Sequence, residues 1–331
     1  MKFISKCNKL RILLLISLLF FYSCNPDDQQ LFKNILIEEE NSVEVGTSLS
    51  DYTSELLLAD PYILCDDDGY YAYGTGTNCS YGLEVFYSKD LYSWENCGYV
   101  ISKDIVDIEG KFWAPEVYKV GNKYLMYFSN NYGSGRIYVA QSDSPRGPFT
   151  NISLVRSKAI DPTLYFDGTG VVYLFSSVFY ESTQLIYRNK LSADLKSIDG
   201  EEELCVWPDL PWEKIIVEGP SVFTYSGNTY LTYSGNGYKS PQYSIGIASY
   251  NKETNKWIKE SSPILSSNGI WCGIGHCSVF YDRNQDLRIV FHAHNSFNQI
   301  HPRRTYIGRL YNNNGKIVVG ETFVVPHVKN K

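Results

Sequence analysis

Three acidic residues stand at recurring places in this chain: Asp60 and Asp161 each directly precede a proline, and Glu218 precedes a Gly-Pro pair. Proline gives a sheet no N–H and is tolerated at the start of a strand, not in its middle, so each acid marks the beginning of a strand. Carboxylates gathered in one small cavity repel one another, and their proton affinities separate, some rising and others staying low. Groups of unequal affinity are what paired acid and base catalysis requires. The competing reading is that each acid caps a turn or binds a cation. That serves a single Asp-Pro better than three acids in register.

The acids belong to a phrase that occurs five times, and four of the copies carry an acidic residue. They are Asp60-Pro61-Tyr62-Ile63-Leu64, Trp113-Ala114-Pro115-Glu116-Val117-Tyr118, Asp161-Pro162-Thr163-Leu164-Tyr165, Glu218-Gly219-Pro220-Ser221-Val222-Phe223 and Gly275-His276-Cys277-Ser278-Val279-Phe280. A turn of Gly, Asn or Asp follows each copy, then an aromatic-rich strand at 70–76, 123–130, 171–177, 229–236 and 287–294. The copies start about 45 to 60 residues apart, the spacing of propeller blades or solenoid coils. A second, weaker hairpin follows in each repeat, at 82–88 with 98–102, at 136–142, at 184–191, at 244–250 with 256–258 and at 306–311 with 316–319.

Two hairpins per repeat make a four-stranded sheet. Five such sheets set radially make an all-β, five-bladed β-propeller, with the phrase-bearing strand innermost. Polar residues at equivalent places in successive blades then converge on one axis. The abundance of Tyr (28) and Phe (16) beside only 2 Met suits many short strands, and no sustained helical periodicity follows the leader. A β-sandwich is the simpler all-β alternative, but it leaves the recurrence of the acids without a reason. The chain therefore divides into a leader at 1–24, a tether and lead-in at 25–54 and a propeller at 55–331. Within the lead-in, 30–54 has no partner repeat and is expected to pack across the bottom or close the ring.

The leader reads as an address. Residues 1–11 are basic, 12–22 are apolar, and Phe21-Tyr22-Ser23-Cys24 sets a small residue before a cysteine. The apolar run is short for a bilayer span and has the layout of a secretory signal. It resembles a bacterial lipoprotein signal, which implies a lipidated Cys24 as mature N-terminus and an outer-membrane lipoprotein facing the periplasm or the cell surface. Asp27 and Asp28 resemble an export signal to the outer face, and an ordinary cleaved signal is the alternative. Losing four cations and no acid from a chain of net charge −6 leaves about −10, which repels nucleic acid phosphates and suits a neutral substrate. Cys65, Cys79, Cys97, Cys205, Cys272 and Cys277 form no recognisable disulfide framework. Cys272 and Cys277 flank His276, but a lone Cys-x4-Cys pair is a weak zinc signal.

Ala59-Asp60-Pro61, Trp113-Ala114-Pro115-Glu116, Ile160-Asp161-Pro162, Glu218-Gly219-Pro220 and Gly275-His276-Cys277-Ser278-Val279-Phe280, in this order over about 58–310, resemble glycoside hydrolase family 43, a family of five-bladed propellers. The resemblance implies Asp60 as general base, Glu218 as general acid, and Asp161 as the residue that orients Glu218 and raises its pKa. An inverting enzyme of this kind leaves roughly 6.5–9.5 Å between acid and base for the attacking water. Glu116 lies outside the trio and is expected to give structural support or touch a substrate hydroxyl. Trp113 either stacks on a sugar face or packs in the core. The resemblance implies that His276 lies in the channel near a bound calcium, touching it directly or through water; a satisfied buried histidine is the alternative. Arg303, with Arg304 as the neighbour easily confused with it, is expected at the substrate or the acids. His292 and His294 read as packing or rim residues.

The implied activity is exo-acting inverting hydrolysis of terminal sugars from plant polysaccharides, first among them α-L-arabinofuranose. β-Xylose and galactofuranose or galactose follow within the class. A non-catalytic, glycan-binding surface lipoprotein is the rival from another class, and a monomer is expected. Fructan-cleaving propellers share the placement of the acids but usually begin with Asn-Asp-Pro-Asn-Gly, which this chain lacks. Specificity is expected to depend on loops between blades, and the loops at 179–184 and 238–242 carry no decodable signature.

Overall fold

The computed structural model describes residues 52–330. The leader, Cys24, the tether and the lead-in up to 51 lie outside the described residues. The described chain has no helix, and four-stranded antiparallel sheets run outward from inner strands Ala59–Asp66, Phe112–Val120, Ala159–Phe166, Val217–Tyr225 and Gly275–Tyr281. Each inner strand carries one copy of the repeated phrase and adjoins the inner strands of neighbouring blades, the fifth meeting the first. This is a closed five-bladed β-propeller, and the sandwich alternative is excluded by the five separate radial sheets.

Burial falls from the axis outward. The second strand of the first blade, Gly69–Thr75, is buried along its whole length, whereas the fourth strand of the third blade, Ile198–Val206, is exposed over most of its residues. The core lies between blades. Tyr71, Tyr73, Leu83 and Val100 of the first blade close on Phe112, Met126 and Phe128 of the second, and Phe175, Ile186 and Val206 of the third on Val217, Leu231 and Tyr233 of the fourth.

Closure uses both ends of the described chain. His327–Lys329 runs parallel to the outer strand Ser93–Ser102 of the first blade, and Tyr52–Glu55 pairs antiparallel on its far side. The described end of the lead-in therefore lies on the outer edge of the first blade. Leu58 and Thr305 stitch the fifth blade to the first through two 3.0 Å hydrogen bonds at the Thr305 hydroxyl.

Every inner strand is bulged at the same place. The pairing register slips between Ala59 and Tyr62, Trp113 and Glu116, Ile160 and Thr163, Glu218 and Ser221, and Gly275 and Ser278. Inside each slip one residue has left-handed backbone: Asp60 (φ 50), Ala114 (φ 42), Asp161 (φ 57), Gly219 (φ 57) and His276 (φ 43). A left-handed L-residue costs about 1–2 kcal/mol, so four non-glycine examples need compensation. Each exposed N–H finds an acceptor on the second strand of the preceding blade. Thr75 accepts from Ala114 (2.9 Å), Ser129 from Asp161 (2.7 Å), Ser177 from Gly219 (3.1 Å), Ser234 from His276 (2.7 Å), and His292 closes the circle by accepting from Asp60 (3.1 Å).

Candidate active site

The bulges aim side chains at the axis, as bulges beside active sites do. They also correct one sequence expectation. Asp60 and Asp161 occupy the left-handed position itself, but the fourth blade puts Gly219 there, so Glu218 stands one residue earlier. The three acids thus come from two registers. Gly219 has a second reason to lack a side chain, since a Cβ there would meet the His276 ring at 3.0 Å.

Asp60, Asp161 and Glu218 all line a cleft of about 730 Å³ at the mouth of the channel, together with Trp113, His276 and Arg303. Asp60 is the most heavily partnered. Arg303 Nη1 donates to its Oδ1 at 3.0 Å, Thr75 Oγ1 donates to Oδ2 at 2.6 Å, and His276 Nδ1 lies 3.3 Å from Oδ1. Burial raises the proton affinity of this carboxyl, but the Arg303 charge, the flanking imidazoles of His276 and His292 and the Thr75 hydroxyl outweigh it and hold Asp60 well below the usual carboxylate range. Burial also pushes both imidazoles toward their neutral forms, so Arg303 is the standing positive charge.

Asp161 and Glu218 move the other way. Burial raises Glu218 to about 7, the Asp161 charge adds to it, and the 2.9 Å hydrogen bond from Tyr243 opposes it. Burial and the charge of Asp60 raise Asp161 as well. The two carboxyls titrate as a pair, and hydrogen bonding decides where their proton rests. Asp161 receives the Gly219 N–H at 3.1 Å and the Ser177 hydroxyl at 3.2 Å, both donors that favour its anion, whereas Glu218 has the single phenol. The proton therefore favours Glu218.

The site thus holds one fixed carboxylate and one carboxyl that keeps its proton close to neutrality. The model of the glycosyl hydrolases family 43 matches residues 53–317. The chain belongs to that family. It is 24% identical over 255 residues to a xylosidase/arabinosidase of Butyrivibrio fibrisolvens, covering 71% of this chain and 48% of the relative, so the chain spans about half of that protein's length. The crystal structure of an endo-1,4-β-xylanase from Bacteroides thetaiotaomicron superposes with TM-score 0.78 at 32% identity, covering 84% of this chain and 100% of the other. An endo-arabinase from the same organism superposes with TM-score 0.66 at 27% identity, covering 80% and 99%.

The other candidates in this family 43 member sort by contact. Trp113 is half-buried and lines the cleft. Arg303 reaches Asp60 with its guanidinium stacked 5.2 Å from the Tyr238 ring centroid, while Arg304 turns away to pair with Glu55. Glu116 is buried outside the cleft, where it accepts from the Tyr118 hydroxyl; burial raises its pKa to about 8. His294 packs as expected, its Nε2 2.7 Å from the Tyr238 carbonyl. His292 does more than pack, because its nitrogens face the Asp60 N–H and, at 3.1 Å, Arg303 Nη1. A neutral ring can accept from only one of these donors.

Calcium takes six to eight oxygen ligands. Among the described residues no three His, Cys, Asp or Glu side chains converge on a metal position, and His276 Nδ1 is directed to Asp60. These side chains do not build a calcium shell by themselves. Among the described residues no disulfide joins any of the six cysteines. Cys272 contacts His294 at 3.8 Å and Cys277 contacts Thr232 at 3.3 Å, so the two thiols flanking His276 have separate partners.

Sequence reasoning passed over Tyr243 and named Tyr238 and Gln184 only as ends of loops expected between blades; those loops join strands within the fourth and third blades, and all three residues line the cleft. Tyr243 had one available signal. A Cβ on Gly275 would lie 1.9 Å from its ring, so the glycine of the fifth phrase makes room for the tyrosine that hydrogen-bonds Glu218.

Proposed function

We propose that the protein is an inverting, exo-acting glycosidase acting on arabinan- or xylan-type glycans, with α-L-arabinofuranose the first sugar to test and β-xylose and galactofuranose or galactose next. One observation carries this reading: two carboxyls in the same cleft, Asp60 held as an anion by Arg303 and Glu218 raised to about 7. Asp60, already ionised, takes a proton from water as that water attacks the anomeric carbon. Glu218 donates its proton to the departing glycosidic oxygen. Asp161, through the Gly219 N–H and its negative charge, fixes the strand that carries Glu218 and raises its proton affinity. A cleft of about 730 Å³ falls in the range that encloses a small ligand. Trp113 offers a ring to a sugar face.

The test is a panel of aryl glycosides (arabinofuranoside, xyloside, galactofuranoside, galactoside) run on the wild type and Glu218→Gln, with the first-formed anomer read by NMR. Cleavage with inversion, lost in the variant for substrates with a poor leaving group, supports the reading. Cleavage of none supports capture without hydrolysis, and a retained anomer removes the roles assigned to Asp60 and Glu218.

Two further parts of the proposal are independent of this chemistry. Lipidation at Cys24 anchors the protein to the outer membrane, facing the periplasm or the cell surface, and fails if palmitate labels a Cys24→Ala variant as well as the wild type. A calcium ion beside His276 would be held mainly by water, and a chelator that changes neither melting temperature nor rate removes it.

A further inference from the structure

Gln184 is the second residue of the strand Thr183–Leu191 in the third blade, with only 5% of its surface exposed, and it lines the cleft. Its backbone N–H donates to the Ile215 carbonyl at 3.2 Å, and it bridges to Ile216, two residues before Glu218. Gln184 therefore borders the side of the cleft that carries Glu218. Across the hairpin it stands opposite Phe179. Directly opposed residues present their side chains to the same face, and Phe179, half exposed, also lines the cleft.

The Gln184 amide nitrogen is buried and has no hydrogen-bond partner. A buried polar group left unpaired opposes folding, and in native proteins the large majority of such groups have a partner, so an orphan in a cleft calls for one. Among the described residues only one other orphaned side-chain atom belongs to a cleft residue, Nε of Arg303. The remaining nitrogens of that guanidinium already serve Asp60 and face His292. Turning the Gln184 amide over would leave a carbonyl oxygen in the same position. A hydroxyl both donates and accepts and satisfies either orientation. An amide beside an aromatic ring also matches a sugar, which offers hydroxyl edges and apolar C–H faces.

We infer that Gln184 is a specificity-determining residue that hydrogen-bonds one hydroxyl of the sugar on the Glu218 side of the cleft, with Phe179 against the sugar's apolar face; this rests on the glycosidase reading above. The test compares wild type with Gln184→Met, which keeps the side chain's length and removes its polar end. Substrates are the aryl glycoside that the wild type cleaves best and its singly deoxygenated analogues. Gln184→Met is expected to lower kcat/KM about tenfold or more. One deoxy position is expected to penalise the wild type by a similar factor and the variant hardly at all. The melting temperature should hold or rise, because an unpaired buried amide has been removed. Each protein is its own reference across the deoxy series, so the comparison survives a change in stability. A variant within about twofold of wild type, or an equal deoxy penalty in both proteins, overturns the inference and leaves the glycosidase reading standing. A wild type that cleaves no glycoside removes that reading first.

Discussion

Asp60 and Asp161 are the same residue at the same bulge of two different blades, and they end at opposite ends of the carboxyl range. Asp161 is buried and Asp60 nearly so, both have left-handed backbone, and both receive a hydroxyl from the second strand of their own blade, Thr75 at 2.6 Å and Ser177 at 3.2 Å. Burial pushes both upward. The outcome is set by the charge each one meets. The fifth blade sets Arg303 3.0 Å from Asp60, whereas burial and the charge of Asp60 raise Asp161 against the Gly219 N–H that the fourth blade supplies. A repeated scaffold can thus hold equivalent carboxylates in different charge states without altering the strand that carries them.

The comparison breaks most sharply at Asp60. If its anion is the base, Asp60→Asn should lower kcat by up to about 10⁴-fold across the whole pH range, with the protein still folded by circular dichroism. Near-normal turnover would transfer the role elsewhere. Asp161→Asn should cost less, about 10²-fold in kcat near neutrality, and should also change the pH profile. Asp161 raises Glu218, and Glu218 must be protonated to act, so removing that charge moves the alkaline limb to lower pH. An unmoved limb would reduce Asp161 to packing.

Arg303→Met removes the feature that separates the two aspartates. Asp60 should then rise toward Asp161, and an acidic limb, with rate falling as pH is lowered, should enter the measurable range. The stability sign follows from linkage. The depressed pKa of Asp60 contributes stability present above its unfolded value of 3.8 and lost as pH falls through the folded value. Leaving this buried carboxylate unpaired is expected to cost about 3–5 kcal/mol at neutral pH, and the deficit should shrink in acid. Urea denaturation of both proteins at several pH values measures it.

The inner and second strands of all five blades were legible because their turns, aromatics and prolines recur. The fourth strands Thr150–Ser157 and Ile198–Val206 were not. They face solvent on the rim, so nothing selects the alternation of apolar and polar residues by which strands are read. The acids were legible as a set through their prolines, and Glu218 stands one residue further from its proline than the aspartates do, but the positive φ at Asp60, Ala114, Asp161 and His276 leaves no mark in residue type. Arg303 and Arg304 are neighbours at the start of the strand Arg304–Asn313, and residue type does not mark which of them reaches the cleft. Gln184 was hidden for another reason: glutamine in a hairpin reads as surface, and its burial depends on Ile215 and Ile216 of the next blade.

The smallest effect on rate is expected from the fourth buried acid, which the aspartate comparison leaves aside. Glu116 sits below the cleft with the Tyr118 hydroxyl, which in turn lies 3.2 Å from Thr163 and accepts the Leu164 N–H at 2.7 Å. Burial, opposed by those hydroxyls and aided by the charge of Asp161, raises Glu116 from 4.5 to about 8. A group whose folded pKa is raised stabilises the fold fully below its unfolded value, and that stability is lost as pH rises through the folded value. Wild-type melting temperature should therefore fall between about pH 5 and 9, with Glu218 and Asp161 adding to the slope. Glu116→Gln keeps an amide against Tyr118 and cannot ionise. It should flatten that fall, by about 2–4 °C for each kcal/mol of charge burial avoided, with kcat within about threefold of wild type. A kcat loss as large as that of Asp161→Asn would mean that Glu116 belongs to the reacting set, and that the channel beneath the cleft takes part in the chemistry above it.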